Sequence, residues 1–437
     1  MFYVLFILLV GIAVIVLLTA KFGMHAFFAL LIACFIVGLS MGFPVTEVIS
    51  QVKDGFGTIM KSLALIIVLG TTLGVILEHT GSTQKIASAI LRKTGNRFPA
   101  LAVSITGFVV GLPIFCDSGY IVLSGLNKPL SSRTGVPVTI LSIAMATGLY
   151  SVHCLVPPHP GATGAASAIG VDFGKVIVMG MVVAIPAAIA GYLWAVFAGR
   201  RKGLDTEEKQ EEAVIKETPS FIKSFLPIIV PILLIALRSF FSIYPLPTRV
   251  WTKIIDALGD PVLALSTGVL LAVLAKKSWK RKELMHLLQE GVEKGGSILM
   301  IIGAGGAFGS VLAASKIGDH LSQSLAISSM GIFFPFLLTS VLKTAQGSST
   351  VAIITAASII KPLLPALGLT GESSGILCVL SMGAGSMMIS HANDAYFWVI
   401  ARFSGMDMRT MLKVYSVATL LMGVTSILMV YLLSFVL

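Results

Sequence analysis

Two short polar stretches interrupt this otherwise apolar chain, and they carry residue types that bind protons and small anions. The first, residues 153–164, holds two histidines, a threonine and the run Pro157-Pro158-His159-Pro160-Gly161. The second, residues 390–396, holds serine, histidine, asparagine and aspartate. Proline and glycine interrupt helices, and non-helical backbone at membrane depth is tolerated only where it is buried in protein or lines a cavity. We therefore predict two broken helices whose polar groups form one site for a small polar anion.

Two further interruptions predict re-entrant hairpins, near residues 98–130 and near residues 328–366. The first tip reads Asp117-Ser118-Gly119, and a carboxylate inside a membrane is costly and usually functional. The second tip reads Gln346-Gly347-Ser348-Ser349-Thr350, whose amides and hydroxyls can hold a carboxylate at the start of the following helix. Structural explanations stay open for both tips, because helix capping explains the hydroxyl residues and a neighbouring lysine can satisfy the aspartate.

These four segments supply all the predicted site residues. The predicted substrate-binding residues are Ser118, Gly119, His159, Thr163, Gln346, Gly347, Ser348, Ser349, Thr350 and Asn393. The predicted proton-coupling residues are the ionisable groups Asp117, His153, His391 and Asp394. Histidines and carboxylates can bind and release protons when their surroundings change. We predict neither a catalytic residue nor a metal or other cofactor, because the chain contains no HExxH motif and no Cys/His ligand set.

The composition indicates a membrane protein that spans the bilayer many times. Of the 437 residues, 56% are hydrophobic and 12% are charged, whereas soluble domains carry about 25% charged residues. The net charge of +11 comes from basic residues in short loops, as the positive-inside rule expects, so we predict a lipid bilayer and no nucleic acid as partner. The four cysteines have no metal-type spacing and are expected to be reduced packing residues.

The order of apolar segments predicts an all-α fold of two repeats. Residues 1–198 form the first repeat, residues 199–223 a cytoplasmic linker and residues 224–437 the second repeat. Each repeat has five spans and one hairpin, with an amphipathic segment before the third span, and five is odd, so the second repeat enters the membrane inverted. The basic loops then place both termini outside the cell. The repeats align His153 with His391 and Asp172 with Asp407.

Four motifs resemble the gluconate permease family, whose members import sugar acids with protons. They are Pro157-Pro158-His159-Pro160-Gly161, Gly305-Gly306-Ala307-Phe308, Gly347-Ser348-Ser349-Thr350-Val351-Ala352, and Ser390-His391-Ala392-Asn393-Asp394 followed by Phe397-Trp398. The resemblance covers essentially the whole chain. The family is similar to the wider ion-transporter superfamily, and this similarity implies a homodimer in which a mobile transport domain moves like an elevator against a fixed scaffold.

The first tip departs from the family pattern. It reads Phe115-Cys116-Asp117-Ser118-Gly119-Tyr120, where comparable gluconate carriers have a glutamate within Phe-Tyr-Glu-Val-Gly-Phe. The shorter carboxylate and the serine beside it would reshape the pocket. The sequence therefore predicts a class of substrate, small hydroxy acids, rather than gluconate itself.

The resulting hypothesis is an inner-membrane transporter that imports gluconate or a related small anionic hydroxy acid with protons. Glycerate or D-serine as substrate, and sodium as coupling ion, stay open as alternatives. The sequence also has to be weighed against an intramembrane hydrolase and a channel. An enzyme would consume its ligand, and a channel would not accumulate it against a gradient.

Overall fold

The computed structural model describes residues 2–94, 97–199, 219–243, 249–315, 330–392 and 394–436. Every regular element within these ranges is helical, which confirms the predicted all-α class. Most of the linker assigned to 199–223, the first residues of the hairpin assigned to 328–366, and Asn393 lie outside the described residues.

The helices of the first half run in the following order: α1 Phe2–Val16, α2 Ala26–Ser40, α3 Val45–His79, α4 Ser82–Thr94, α5 Pro99–Gly111, α6 Cys116–Ser124, α7 Asn127–Thr134, α8 Val138–Leu155, α9 Pro160–Ile169 and α10 Phe173–Gly199. A π-helical turn, Leu17–Lys21, continues α1.

The second half follows with α11 Phe221–Ile243, α12 Arg249–Leu258, α13 Pro261–Ala275, α14 Arg281–Ala314, α15 Phe333–Gln346, α16 Ser349–Ile360, α17 Glu372–Met387, α18 Ala395–Ser404, α19 Met408–Met411 and α20 Val417–Leu433. A 3-10 turn, Lys361–Leu363, follows α16, and a π-helical turn, Leu412–Ser416, joins α19 to α20.

Six stretches among the described residues are long and apolar enough to cross a membrane. They are Val45–His79, Val138–Ile169, Phe173–Gly199, Phe221–Arg238, Arg281–Ala314 and Met408–Leu433. The described residues also contain shorter apolar helices, among them α2 before the first stretch, and α5 and α13 between later ones. The count of five spans in each half, the hairpin layout and the inverted relation of the halves stay predictions.

The predicted amphipathic segments are not separate elements. The first predicted segment, 44–63, lies from residue 45 onward in the single 35-residue helix α3 together with the span after it. The second, 283–295, lies with its span in the 34-residue helix α14. These two helices pack side by side through small residues. A side-chain carbon added to Gly55 would lie 2.4 Å from the Gly306 carbonyl oxygen, and Thr71 Oγ1 donates to the Gly291 carbonyl at 2.7 Å. Small residues allow this close approach of two long helices.

The two halves share a local junction that the sequence alignment picked out. Gly170 ends α9 with φ +90°, and Gly405 ends α18 with φ +71°, a left-handed conformation that glycine adopts without steric cost. Asp172 then accepts from the amide of Lys175, and Asp407 accepts from the amide of Thr410. Each aspartate therefore caps the N-terminus of the next helix.

The helices around the two tips and the two breaks pack crosswise. Helix α5 packs on α8 and α15 packs on α17, so the segment of each predicted hairpin contacts the predicted broken helix of its own half. Helix α6, after the first tip, packs on α18, after the second break, while α16, after the second tip, packs on α9, after the first break. This arrangement brings the four interrupted segments together inside the protein.

Candidate functional site

A buried ion pair joins the second hairpin to the second break. Lys343 lies one turn before the end of α15, and its side chain is 1% exposed. Its Nζ donates to Asp394 Oδ2 at 2.6 Å and to the Gly347 carbonyl at 2.8 Å. Gly347 turns the chain between α15 and α16 with φ +78°. The carbonyl at this turn and the carboxylate beside it both stabilise the ammonium.

Both carboxylate oxygens of Asp394 accept hydrogen bonds. Its Oδ2 also accepts from the Ser390 hydroxyl at 2.5 Å, and its Oδ1 accepts from the Tyr396 amide at 3.0 Å, which caps the start of α18. Ser390 is fixed in turn, because its amide donates to Thr419 Oγ1 at 3.0 Å and its carbonyl accepts from the Ser416 hydroxyl. Asp394 therefore accepts from three donors among the described residues, one of which is its cationic partner Lys343.

Sequence reasoning singled out Asp394 but missed Lys343. The signal was present, since a lysine inside the 14-residue arm Phe333–Gln346 is an ionisable residue at membrane depth. Its partner lies 51 positions later in the chain, and no local pattern connects the two residues.

The first tip adds a second carboxylate, with one oxygen that has no partner. Asp117 lies in the first turn of α6, and its Oδ1 is buried without a hydrogen bond to any residue that the structure describes. It lies close enough to Asp394 and Lys343 for their charges to interact. Ser118 is half-buried in the same turn, whereas Gly119 packs on Leu149 of α8, where an added side-chain carbon would lie 2.8 Å from Leu149 Cδ2. Gly119 is therefore placed to allow helix packing.

At the second tip, one serine caps the following helix, whereas the polar atoms of a glutamine lack partners among the described residues. Ser348 caps α16, because its Oγ accepts from the Val351 amide at 3.3 Å. Ser349 is buried and Thr350 is half-buried in the first turn of α16. Both polar atoms of the Gln346 side chain are buried, and neither has a hydrogen bond within the described part of the chain. A buried amide without partners is rare in folded proteins, so Gln346 calls for a ligand or water that supplies them.

In each half, one histidine of the break contacts the segment of the predicted hairpin. His159 Nε2 lies 2.6 Å from the carbonyl of Gly111, the last residue of α5. His391 Nε2 lies 3.1 Å from the carbonyl of Thr344, in the last turn of α15. A carbonyl only accepts, so Nε2 carries the proton in both rings. These contacts pair His391 with His159 and not with His153, the residue that the sequence alignment matched to it.

The remaining predicted residues of the first break lie beside these groups. The His153 ring packs 4.8 Å from that of His159 and stacks on Tyr150, and its Nδ1 is buried without a partner. The Thr163 hydroxyl is also buried, with no hydrogen-bond partner among the described residues, and Thr163 borders a narrow apolar crevice between the first break and helices α11 and α13. A second small crevice, lined by Thr71 and His159 among others, lies between α3 and the first tip.

The structure thus brings ionisable, amide and hydroxyl groups of all four segments close together. Within the described residues, no group of three or more His, Cys, Asp or Glu side chains is arranged to hold a metal ion. These groups can bind a ligand reversibly. The amide and hydroxyl groups can form hydrogen bonds to its oxygen atoms, and the carboxylates can bind protons or ammonium groups.

Comparison with known proteins assigns the whole chain to one group. A sequence model described as GntP family permease matches residues 3–436. A gluconate permease of Pseudomonas aeruginosa is 34% identical over 448 aligned residues, covering 100% of this chain and 98% of the relative. The D-serine transporter DsdX of Escherichia coli K12 is 30% identical, with 98% of each chain covered. The structure of the YdaH transporter from Alcanivorax borkumensis superposes with a TM-score of 0.64 at 14% identity, covering 90% of this chain and 89% of the other.

Proposed function

Because this chain belongs to the GntP family of permeases, we propose that it imports gluconate or a related small hydroxy acid together with protons. Its family makes it a membrane transporter of small acids and not an enzyme, so the hydrolase alternative is not retained. One observation supports the proposed site above all. Buried charges and unpartnered polar atoms collect where two tips and two breaks meet, and broken helices are where secondary carriers bind substrate and coupling ions.

The start of α16 is our candidate for the substrate carboxylate. Backbone amides at a helix N-terminus carry a partial positive charge and bind anions. The Ser348 hydroxyl is already engaged as the cap, so Ser349, Thr350 and the unpartnered amide of Gln346 are the groups we assign to the ligand. Thr163 and Ser118 are assigned to substrate hydroxyls, as is Asn393, which lies outside the described residues.

Asp117 is our first candidate for the coupling proton. Protonating Asp394 would break its ion pair with Lys343, whereas Asp117 has an oxygen without any partner. When Asp117 is protonated, the charges of Lys343 and Asp394 cancel, and an anionic substrate meets no surplus negative charge. Proton binding and anion binding therefore favour each other, which is what symport requires. His153 and His391 stay secondary candidates.

Alternating access is proposed to follow from movement of the tips and breaks against the long α3–α14 pair. The narrow apolar crevice beside the first break, bordered by α11 and α13, is the boundary to which we assign this movement. An elevator-like movement, a homodimer, a cell inner membrane location and external termini are parts of the same proposal.

D-serine is the second candidate substrate, because a relative that covers the whole chain is named as its transporter. D-serine carries an ammonium group, and the unpartnered oxygen of Asp117 offers a counter-charge for it. Competition decides between the two. A gluconate carrier should lose labelled-gluconate uptake to excess gluconate and not to D-serine, whereas a D-serine carrier should show the reverse order.

Uptake into proteoliposomes tests the proposal. Purified protein should accumulate labelled gluconate under an inward proton gradient without sodium, and a protonophore should abolish the accumulation. Asp117→Asn should abolish the response to the gradient while counterflow exchange persists, because the asparagine imitates the neutral, protonated side chain. Folded protein that accumulates no hydroxy acid or amino acid under the gradient would contradict the proposal, and an Asp117→Asn variant that still responds to the gradient would remove Asp117 from it.

A further inference from the structure

The position of Lys343 bears on the coupling ion. In carriers built from broken helices, unwound backbone carbonyls and the C-terminal ends of half-helices coordinate Na⁺ or H⁺. Helix α15 is such a half-helix, since it ends at Gln346, and the Gly347 carbonyl turns back toward Lys343. The carboxylate of Asp394 completes an oxygen-lined position that is closed to solvent. Carbonyl and carboxylate oxygens are the ligands that hard cations take.

We propose that the Lys343 ammonium is a built-in cation, which occupies the position where a carrier of this construction would otherwise bind a mobile alkali ion. The inference rests on the proposed carrier function, and it concerns the choice of coupling ion. Ammonium and Na⁺ carry the same charge, and both bind oxygen atoms. Lys343 supplies this charge on a side chain of its own helix, one turn before the helix end, so the position is filled at all stages of the cycle.

The charge balance explains why a second cation is excluded. Asp394 and Lys343 neutralise each other at 2.6 Å. An alkali ion beside them would be repelled by the ammonium at short range, in surroundings that screen charge poorly. Removing the ammonium removes this repulsion. It leaves the buried Asp394 carboxylate without a counter-charge and vacates the space that the lysine side chain filled. Na⁺ can fill that space, and the same oxygens can bind it.

The thermal unfolding midpoint of the detergent-solubilised protein tests the inference without transport. We compare wild type, Lys343→Ala and the double variant Lys343→Ala/Asp394→Asn in sodium chloride and in choline chloride. In Lys343→Ala, Na⁺ at about ten times its dissociation constant should raise the midpoint by roughly 2 °C relative to choline. Wild type should show no difference between the salts, because its cation position is filled. The double variant should show none either, because its carboxylate is gone.

Lys343→Ala that gains nothing from Na⁺ over choline would overturn the inference, as would equal gains in the double variant. If the alanine variant does not fold, Lys343→Met provides the same comparison in a longer side chain. Wild type alone also decides: a midpoint or a substrate uptake that depends on Na⁺ contradicts a filled cation position. Failure of the carrier proposal is recognised separately, since it abolishes uptake and leaves the salt-dependent midpoints unchanged.

Discussion

Removing one partner of the Lys343–Asp394 pair should destabilise the protein far more than removing both. Lys343→Met keeps the length of the side chain and deletes its charge, so that the Ser390 hydroxyl and the Tyr396 amide are the donors to the Asp394 carboxylate that remain among the described residues. Asp394→Asn keeps a side chain that can cap α18 and leaves the ammonium with the Gly347 carbonyl. Either change strands a buried charge, for which losses of about 3 to 5 kcal/mol are typical.

The double variant Lys343→Met/Asp394→Asn has no charge to strand. Neutral replacements of similar volume for a buried ion pair are often close to neutral in stability. At about 1 to 2 °C per kcal/mol for a chain of this size, each single variant should lower the unfolding midpoint by roughly 3 to 10 °C. The double variant should lose less than either single variant, which gives a coupling energy of about 2 kcal/mol or more.

The assay is thermal unfolding of the four purified proteins in detergent and choline chloride, so that no alkali ion compensates for the missing lysine. Circular dichroism of the helices reports the midpoint, and size-exclusion chromatography confirms that each variant starts from folded protein. The reasoning is refuted if the losses of the two single variants simply add in the double variant. That result would mean that the two charges do not stabilise each other in the folded protein.

Three further predictions concern packing, the histidine contact and a helix cap. Gly55→Ala should destabilise the α3–α14 contact by about 1 to 3 kcal/mol, because the added carbon would lie 2.4 Å from a backbone oxygen; Gly57→Ala, which meets nothing within 4 Å, is the matched control, and equal unfolding midpoints would contradict the packing argument. His391→Phe should lose the bond to the Thr344 carbonyl, about 1 kcal/mol, and lower the uptake rate, whereas His391→Gln should restore part of both; a phenylalanine variant with wild-type uptake would show that the contact has no role. The hydrogen bonds from Thr410 hold the pKa of Asp407 below the ordinary value of an aspartate. This cap should therefore be intact above that ordinary value and be lost as the pH falls through the lower folded value; a carboxyl NMR titration of Asp407 with a midpoint at or above the ordinary value would contradict it.

Much of the local structure follows from residue types. Proline at the start of α5 and of α9, and glycine at the end of α9 and of α18, set helix boundaries because each residue has a narrow or unusual backbone preference. The Gly-x-Asp match between the halves was predicted as a repeat signal, and the structure gives it a physical content as a helix end followed by a helix cap. The sequence predicted two amphipathic segments as elements separate from the spans after them, whereas in the structure each is part of one long helix.

Other parts of the site could not be predicted, because they depend on which segments meet. The hydrophobic pattern marked both breaks and both tips, yet it could not say that His159, rather than His153, makes the contact equivalent to that of His391. It also could not say that Ser348, rather than Ser349, caps α16, since a capping serine and a ligand-binding serine are the same residue type.

By itself, the sequence determined an all-helical membrane transporter with two broken helices, because bilayer burial constrains composition and because proline and glycine act on their own backbone. The tertiary structure decided the electrostatics. Lys343 and Asp394 lie 51 positions apart, and their charges are compensated only where α15 and the second break meet. Packing also places Asp117 near that pair, with one oxygen that has no hydrogen bond among the described residues. A charge at membrane depth is defined by its neighbours in space, and those neighbours are set by packing.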